Sequence, residues 1–172
     1  MIQYYESSLS KRFYYSKFLY LNTIIMALAS FYIFAFTTTT LADAQNATNT
    51  NSTEIDTFLE TAKNSYNQQK YDEAIQNYDK VLQIEPNNTA ALVNKGLASS
   101  DLNRYDEAIQ YYDKALHIEP NDTDALINKG TALYDLERYD ESIQYYDKVL
   151  HIDPNDTDAL DMKNTALNKL GR

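Results

Sequence analysis

Three kinds of residue in this chain could carry chemistry. Acidic pairs recur beside tyrosines, at Tyr71-Asp72-Glu73, Tyr105-Asp106-Glu107 and Tyr139-Asp140-Glu141. Two histidines, His117 and His151, stand one such interval apart. Five Asn-x-Ser/Thr sequons begin at Asn46, Asn51, Asn87, Asn121 and Asn155. Paired carboxylates do acid–base work when they converge on one site. Adjacent residues of a helix point apart, so these pairs do not converge. The histidines could ligate a metal, but the chain has no cysteine and a site would need more ligands close by. No Ser/His/Asp set stands out. No cofactor, no metal site and no enzymatic activity are therefore expected. The sequons at Asn87, Asn121 and Asn155 fall between repeats, where turn and cap chemistry calls for Asn, Asp and Thr anyway. Asn46 and Asn51 lie in a polar stretch and are the better glycosylation candidates.

These residues recur because the chain repeats. The phrase Tyr-Asp-Glu-Ala/Ser-Ile starts at 71, 105 and 139, and Ile-Glu/Asp-Pro ends at Pro86, Pro120 and Pro154. Two markers at one period of 34 residues point to a stack of helix-turn-helix units. Aligned on the proline, the units are 55–88, 89–122 and 123–156, followed by a half unit, 157–172; the second and third agree at 25 of 34 positions. In the second unit, helix A is expected at about 90–102 and helix B at about 105–118. Asp106 and Glu107 then sit at the start of helix B, where the dipole favours acids, and Glu119-Pro120 ends it. Asn121-Asp122-Thr123 offers N-caps to the next helix. Tyr78, Tyr112 and Tyr146 read as core. Small residues are expected to face one another, Gly96 against Ala108, Gly130 against Ser142 and Ala62 against Ala74, so that the two helices pack closely. In the half unit, Leu160, Leu167 and Leu170 form an apolar stripe, with Asp161, Lys163, Asn168 and Lys169 on the wet side. One amphipathic helix of this kind would cap the array.

The residues Leu92, Gly96, Ser99, Ala108, Tyr112, Ala115 and Pro120, with Leu126, Gly130, Leu133, Ser142, Tyr146, Val149 and Pro154 one unit on, resemble the tetratricopeptide repeat pattern. The first unit matches less closely, with Ala62 in place of Gly and Ser65 in place of the aromatic. The resemblance covers 54–172. It implies an all-α solenoid of three 34-residue repeats and a capping helix; the uncharged run at 18–36 adds the expectation of a hydrophobic N-terminal helix before it. It also implies a partner-binding concave face on helix A, made by Leu59, Lys63, Tyr66, Val93, Leu97, Asp101, Ile127, Thr131, Tyr134 and Asp135. A face mixing apolar, aromatic and carboxylate groups suits a peptide with apolar and basic residues. Some members clamp a C-terminal carboxylate with Lys, Asn and Arg on this face. Here those places hold one cation, Lys63, beside Leu59, Leu97, Ile127 and Thr131, so chaperone-tail binding is not expected.

Composition narrows the partners further. The net charge is −10, which argues against nucleic acid. Three glycines leave no phosphate-cradling loop. The N-terminal part is different in kind. Lys11, Arg12 and Lys17 precede an uncharged run, 18–36, whose helical rise would be about 28 Å, near the thickness of a bilayer core. Ala42-Asp43-Ala44 follows, a small-x-small pattern that a signal peptidase reads. Residues 1–44 are thus expected to be a cleaved signal or a single-span anchor, and 45–53 a polar linker. With the cations before the span, the repeats at 54–172 would face outward, secreted or membrane-anchored. The expected partner is a protein or peptide, with self-association through end-to-end stacking as the alternative.

Overall fold

The computed structural model describes residues 23, 26, 28–34, 36–38 and 50–172. The chain divides into two units, 1–50 and 51–172. In the first, the described side chains Met26, Phe31, Tyr32, Phe34 and Phe36 are all exposed. Among the described residues no helix is long and apolar enough to cross a membrane. The remainder of the expected span, the cations before it and Ala42-Asp43-Ala44 lie outside the described residues.

The second unit is seven helices and no strand among the described residues. They are α1 (51–67), α2 (Tyr71–Ile84), α3 (Thr89–Asp101), α4 (Tyr105–Ile118), α5 (Thr123–Asp135), α6 (Tyr139–Ile152) and α7 (Thr157–Lys169). Residues 51–53, expected in the polar linker, are already helical. The hydroxyl of Thr57 donates to the carbonyl of Thr53, so this first turn is tied to the helix that follows. Each helix packs on the next, and α3, α5 and α7 also touch in series.

Local chemistry explains the boundaries. Odd-numbered helices from α3 start on a side-chain cap: Asn88, Asp122 and Asp156 accept from the backbone N–H of Ala91, Ala125 and Ala159 at 2.9, 3.0 and 2.8 Å. The cap is thus the middle residue of the Asn-x-Thr triplet. α7 stops at Gly171, with φ 72°; α1, α3 and α5 stop instead in a left-handed Gln69, Asn103 or Glu137, with φ near 60°. The next N–H turns back to the helix at 2.9 Å in all three cases, from Lys70 to Ser65, from Arg104 to Ser99 and from Arg138 to Leu133. This is a Schellman stop built without glycine.

The core runs between the two layers. Tyr78, Tyr112 and Tyr146 are its largest wholly buried side chains, as their spacing suggests. The glycines do not chiefly face the small residues of the next helix. A Cβ built on Gly96 would lie 2.5 Å from the ring of Tyr112, and one on Gly130 2.6 Å from that of Tyr146. The flat ring takes the space that the missing side chain leaves. The reason is steric: a tyrosine one turn beyond Ala108 or Ser142 reaches farther across the helix pair than either short side chain.

Candidate functional site

Helices α1, α3 and α5 carry the residues that the resemblance assigns to a binding face, and the structure sorts them. Val93 is 7% exposed and belongs to the core beside Leu92, Ala125 and Ala132, so it is not a contact residue. Its counterparts one unit away, Leu59 and Ile127, are half-buried against the neighbouring core clusters. This repeat position packs one unit on the next, and of the three only Val93 is fully covered. Lys63 is exposed and Leu97 half-buried.

Tyr66 and Asp101 are brought together across units. The Tyr66 hydroxyl donates to an Asp101 carboxylate oxygen at 2.5 Å. Burial and this acceptor's charge raise the Tyr66 pKa above that of a free tyrosine. Asp101 ends α3, where the helix dipole disfavours an acid, and the tyrosine offsets that cost.

Thr131, Tyr134 and Asp135 of α5 line one cleft of about 290 Å³ with Tyr146 of α6 and Asp161, Met162 and Thr165 of α7. The Thr131 hydroxyl donates to the Ile127 carbonyl at 3.0 Å and lies 3.4 Å from the Tyr146 hydroxyl and 3.7 Å from the Met162 sulfur. Burial holds the Asp135 carboxyl above the ordinary carboxylate range. Asp161 was expected to wet an outer face. It instead lines this cleft, because α7 sits beside α5 as the helix A of a further unit.

A second array of charges runs between layers. Lys95 pairs with Asp79, Lys129 with Asp113, and Lys163 with Asp147 at 2.6 Å, always sixteen residues apart. Lys95 also lies over the Tyr111 ring at 4.2 Å and Lys129 over the Tyr145 ring at 4.4 Å. Burial lowers the pKa of Lys95 and Lys129, but their aspartate and tyrosine partners outweigh it and leave both raised. Lys163 therefore does not simply wet the outside of α7 either. The recurrence of lysine at 95, 129 and 163 with aspartate at 79, 113 and 147 was the available signal. His117 and His151 are exposed in the last turns of α4 and α6. Among the sequons, Asn51, Asn87, Asn121 and Asn155 are exposed, and Asn46 lies outside the described residues.

Two family models described as tetratricopeptide repeat match the chain, one over residues 59–123 and one over 100–164. Together they span more than half of it. The chain belongs to the tetratricopeptide repeat family. Solved tetratricopeptide structures agree with this. The first such domain of Spaghetti (RPAP3), solved bound to the HSP90 peptide SRMEEVD, is 26% identical with a TM-score of 0.67, over 70% of this chain and 96% of that one. The first domain of human RPAP3 is 26% identical with a TM-score of 0.65, over 68% and 92%. MamA, at 20% identity and a TM-score of 0.65 over 68% of each chain, shares the fold. No curated protein matches the chain. In this tetratricopeptide array the cleft between α5 and α7 and the Tyr66–Asp101 pair both belong to the layer of A helices.

Proposed function

We propose that the array is a non-enzymatic interaction module that holds a peptide or a segment of a partner protein on the layer formed by α1, α3, α5 and α7. The observation that carries this reading is the cleft between α5 and α7, which combines tyrosine rings, a methionine and two carboxylates. The Spaghetti domain, solved with an HSP90 peptide, is a precedent for a peptide on this fold. Asp101, Asp135 and Asp161 make this layer acidic, so a segment with apolar and basic residues complements it better than an acidic tail. Selection of displayed random twelve-residue peptides on the full chain tests the reading. Peptides that lose binding when Leu97 becomes Glu, with the melting temperature kept, support it. Enriched peptides indifferent to Leu97→Glu and Tyr134→Ala would place binding elsewhere and sink it.

The same proposal includes location. Three cations, an uncharged run and a small-x-small pattern in sequence support an exported or single-span anchored chain with the repeats outside. Met26, Phe31, Tyr32, Phe34 and Phe36, each exposed, fit such a segment. The N-terminal residue of the mature protein decides between the two forms, with Gln45 marking cleavage after Ala44.

One observation favours a second reading, a self-associating envelope protein whose arrays stack end to end. Leu160 of α7 is 39% exposed, whereas Leu92 and Leu126 at the same repeat position are 3% and 2% exposed. A mass by light scattering that does not change with concentration and equals one chain would end this alternative.

A further inference from the structure

The repeats supply their own internal control, and two departures from it meet in one cleft. Asp135 occupies the position of Asp101, at the unfavourable C-terminal end of an A helix. Asp101 is tied down by Tyr66. The residue that would do the same for Asp135 is Ser100, whose side chain is too short, and its hydroxyl lies 3.5 Å from that of Tyr112. Asp135 therefore has no hydrogen-bond or ion-pair partner among the described residues. The second departure is Asp161. Its repeat position holds Leu59, Val93 and Ile127 in the preceding units, where it packs apolar surface. Here it holds a carboxylate, exposed and without an ion-pair partner among the described residues. Every other unit closes this place with an aliphatic side chain or ties down its acid.

Resting on the interaction reading above, we infer that the α5–α7 cleft is a seat for one lysine or arginine side chain of an extended partner peptide. The aliphatic stem lies along Met162 and the ring of Tyr134, and the cation sits between Asp135 and Asp161. Such a side chain buries its stem while its head meets the carboxylates. The cleft, at about 290 Å³, has room for one long side chain and not for a folded element. The lysines nearby in the fold do not fill the role, because Lys129 and Lys163 are already held by Asp113 and Asp147. An acidic peptide end would meet two unpaired carboxylates and is disfavoured, which separates this seat from one that recognises a terminal carboxylate.

The test uses the full chain and fluorescein-labelled peptides built on the strongest arginine- or lysine-containing peptide from the display selection. In one version the basic residue is kept, and in another it is replaced by citrulline or norleucine. The expected result is about fivefold weaker binding of the neutral version. Asp161→Asn and Asp135→Asn should each weaken the basic peptide and leave the neutral one unchanged, and Asp161→Glu should recover most of the loss. Circular dichroism melts keep folding separate from binding. Equal affinity for the basic and neutral versions, still abolished by Leu97→Glu, overturns the cation seat and leaves the binding layer standing. Binding indifferent to Leu97→Glu, or selection of no basic peptide at all, removes the basis for the seat as well.

Discussion

Replacing Gly130 by Ala should destabilise the array although alanine is the better helix former. The added Cβ would lie 2.6 Å from Cε1, 3.0 Å from Cζ and 3.1 Å from Cδ1 of Tyr146. The helix itself gains about 1 kcal/mol when glycine becomes alanine. Overfilling a packed core costs about 1–3 kcal/mol. The Tyr146 ring has little freedom to give way, because it is 2% exposed and its hydroxyl is beside that of Thr131. A 2.6 Å approach puts the cost in the upper part of that range, so the net should be a loss of about 1–2 kcal/mol in urea unfolding, with about 3–6 °C of melting temperature per kcal/mol. A double-mutant cycle gives the sharper measurement. With Tyr146 changed to Leu, Gly130→Ala should turn neutral or stabilising, since the ring that it strikes is gone. The first unit already has Ala62 at the equivalent place, across from Tyr78, so Ala62→Gly should cost about 1 kcal/mol through propensity alone. A Gly130→Ala protein as stable as the parent with Tyr146 in place, or one equally destabilised once Tyr146 is Leu, would refute the ring-on-glycine account.

Three further outcomes follow from the same geometry. Asp113→Asn should cost about 1–2 kcal/mol in urea melts, because it leaves Lys129 with an 8% exposed side chain and no counter-charge, while Asp147→Asn should cost less, its partner Lys163 being 30% exposed. Glu137→Asn should raise the melting temperature by about 1–3 °C, since a left-handed φ of 61° suits Asn better than Glu. Asp135→Asn should stabilise the array at pH 7. Its carboxyl pKa is raised in the folded state, so the charged form opposes folding, and that penalty disappears as pH falls below the usual 3.8. Melting curves of the two proteins should therefore differ at pH 7 and merge near pH 3.

The period of 34 made the array legible from sequence. Pro86, Pro120 and Pro154 and the three Tyr-Asp-Glu phrases mark the turns, and α2, α4 and α6 begin at those tyrosines. The sorting of helix A into buried and open positions was harder to read. Val93 and Ile127 share a repeat position and are both β-branched, yet the helix that follows each decides how much is covered. Lys95 and Lys129 read as surface by type. Only their aspartates sixteen residues earlier, on a different helix, reveal why a cation is tolerated below 10% exposure. The glycine partners were misjudged because matching small residues by size overlooks the reach of a ring one turn away. Asp161 was placed by treating α7 as a lid, when its neighbours make it the first half of another unit.

The neighbour-only wiring of this array gives the uncovered end a thermodynamic character of its own. Each helix is held mainly by the ones before and after it, so the stack behaves as a one-dimensional chain of coupled units. α7 has a neighbour on one side among the described residues, and it should fray first, with its amides exchanging with solvent faster than those of α3 to α5. A guest that bridges α5 and α7 would then clasp the loosest link to the rest. Its arrival would register as slowed exchange concentrated in α7, fading unit by unit toward α1, and the length of that gradient would measure how far cooperativity travels along the stack.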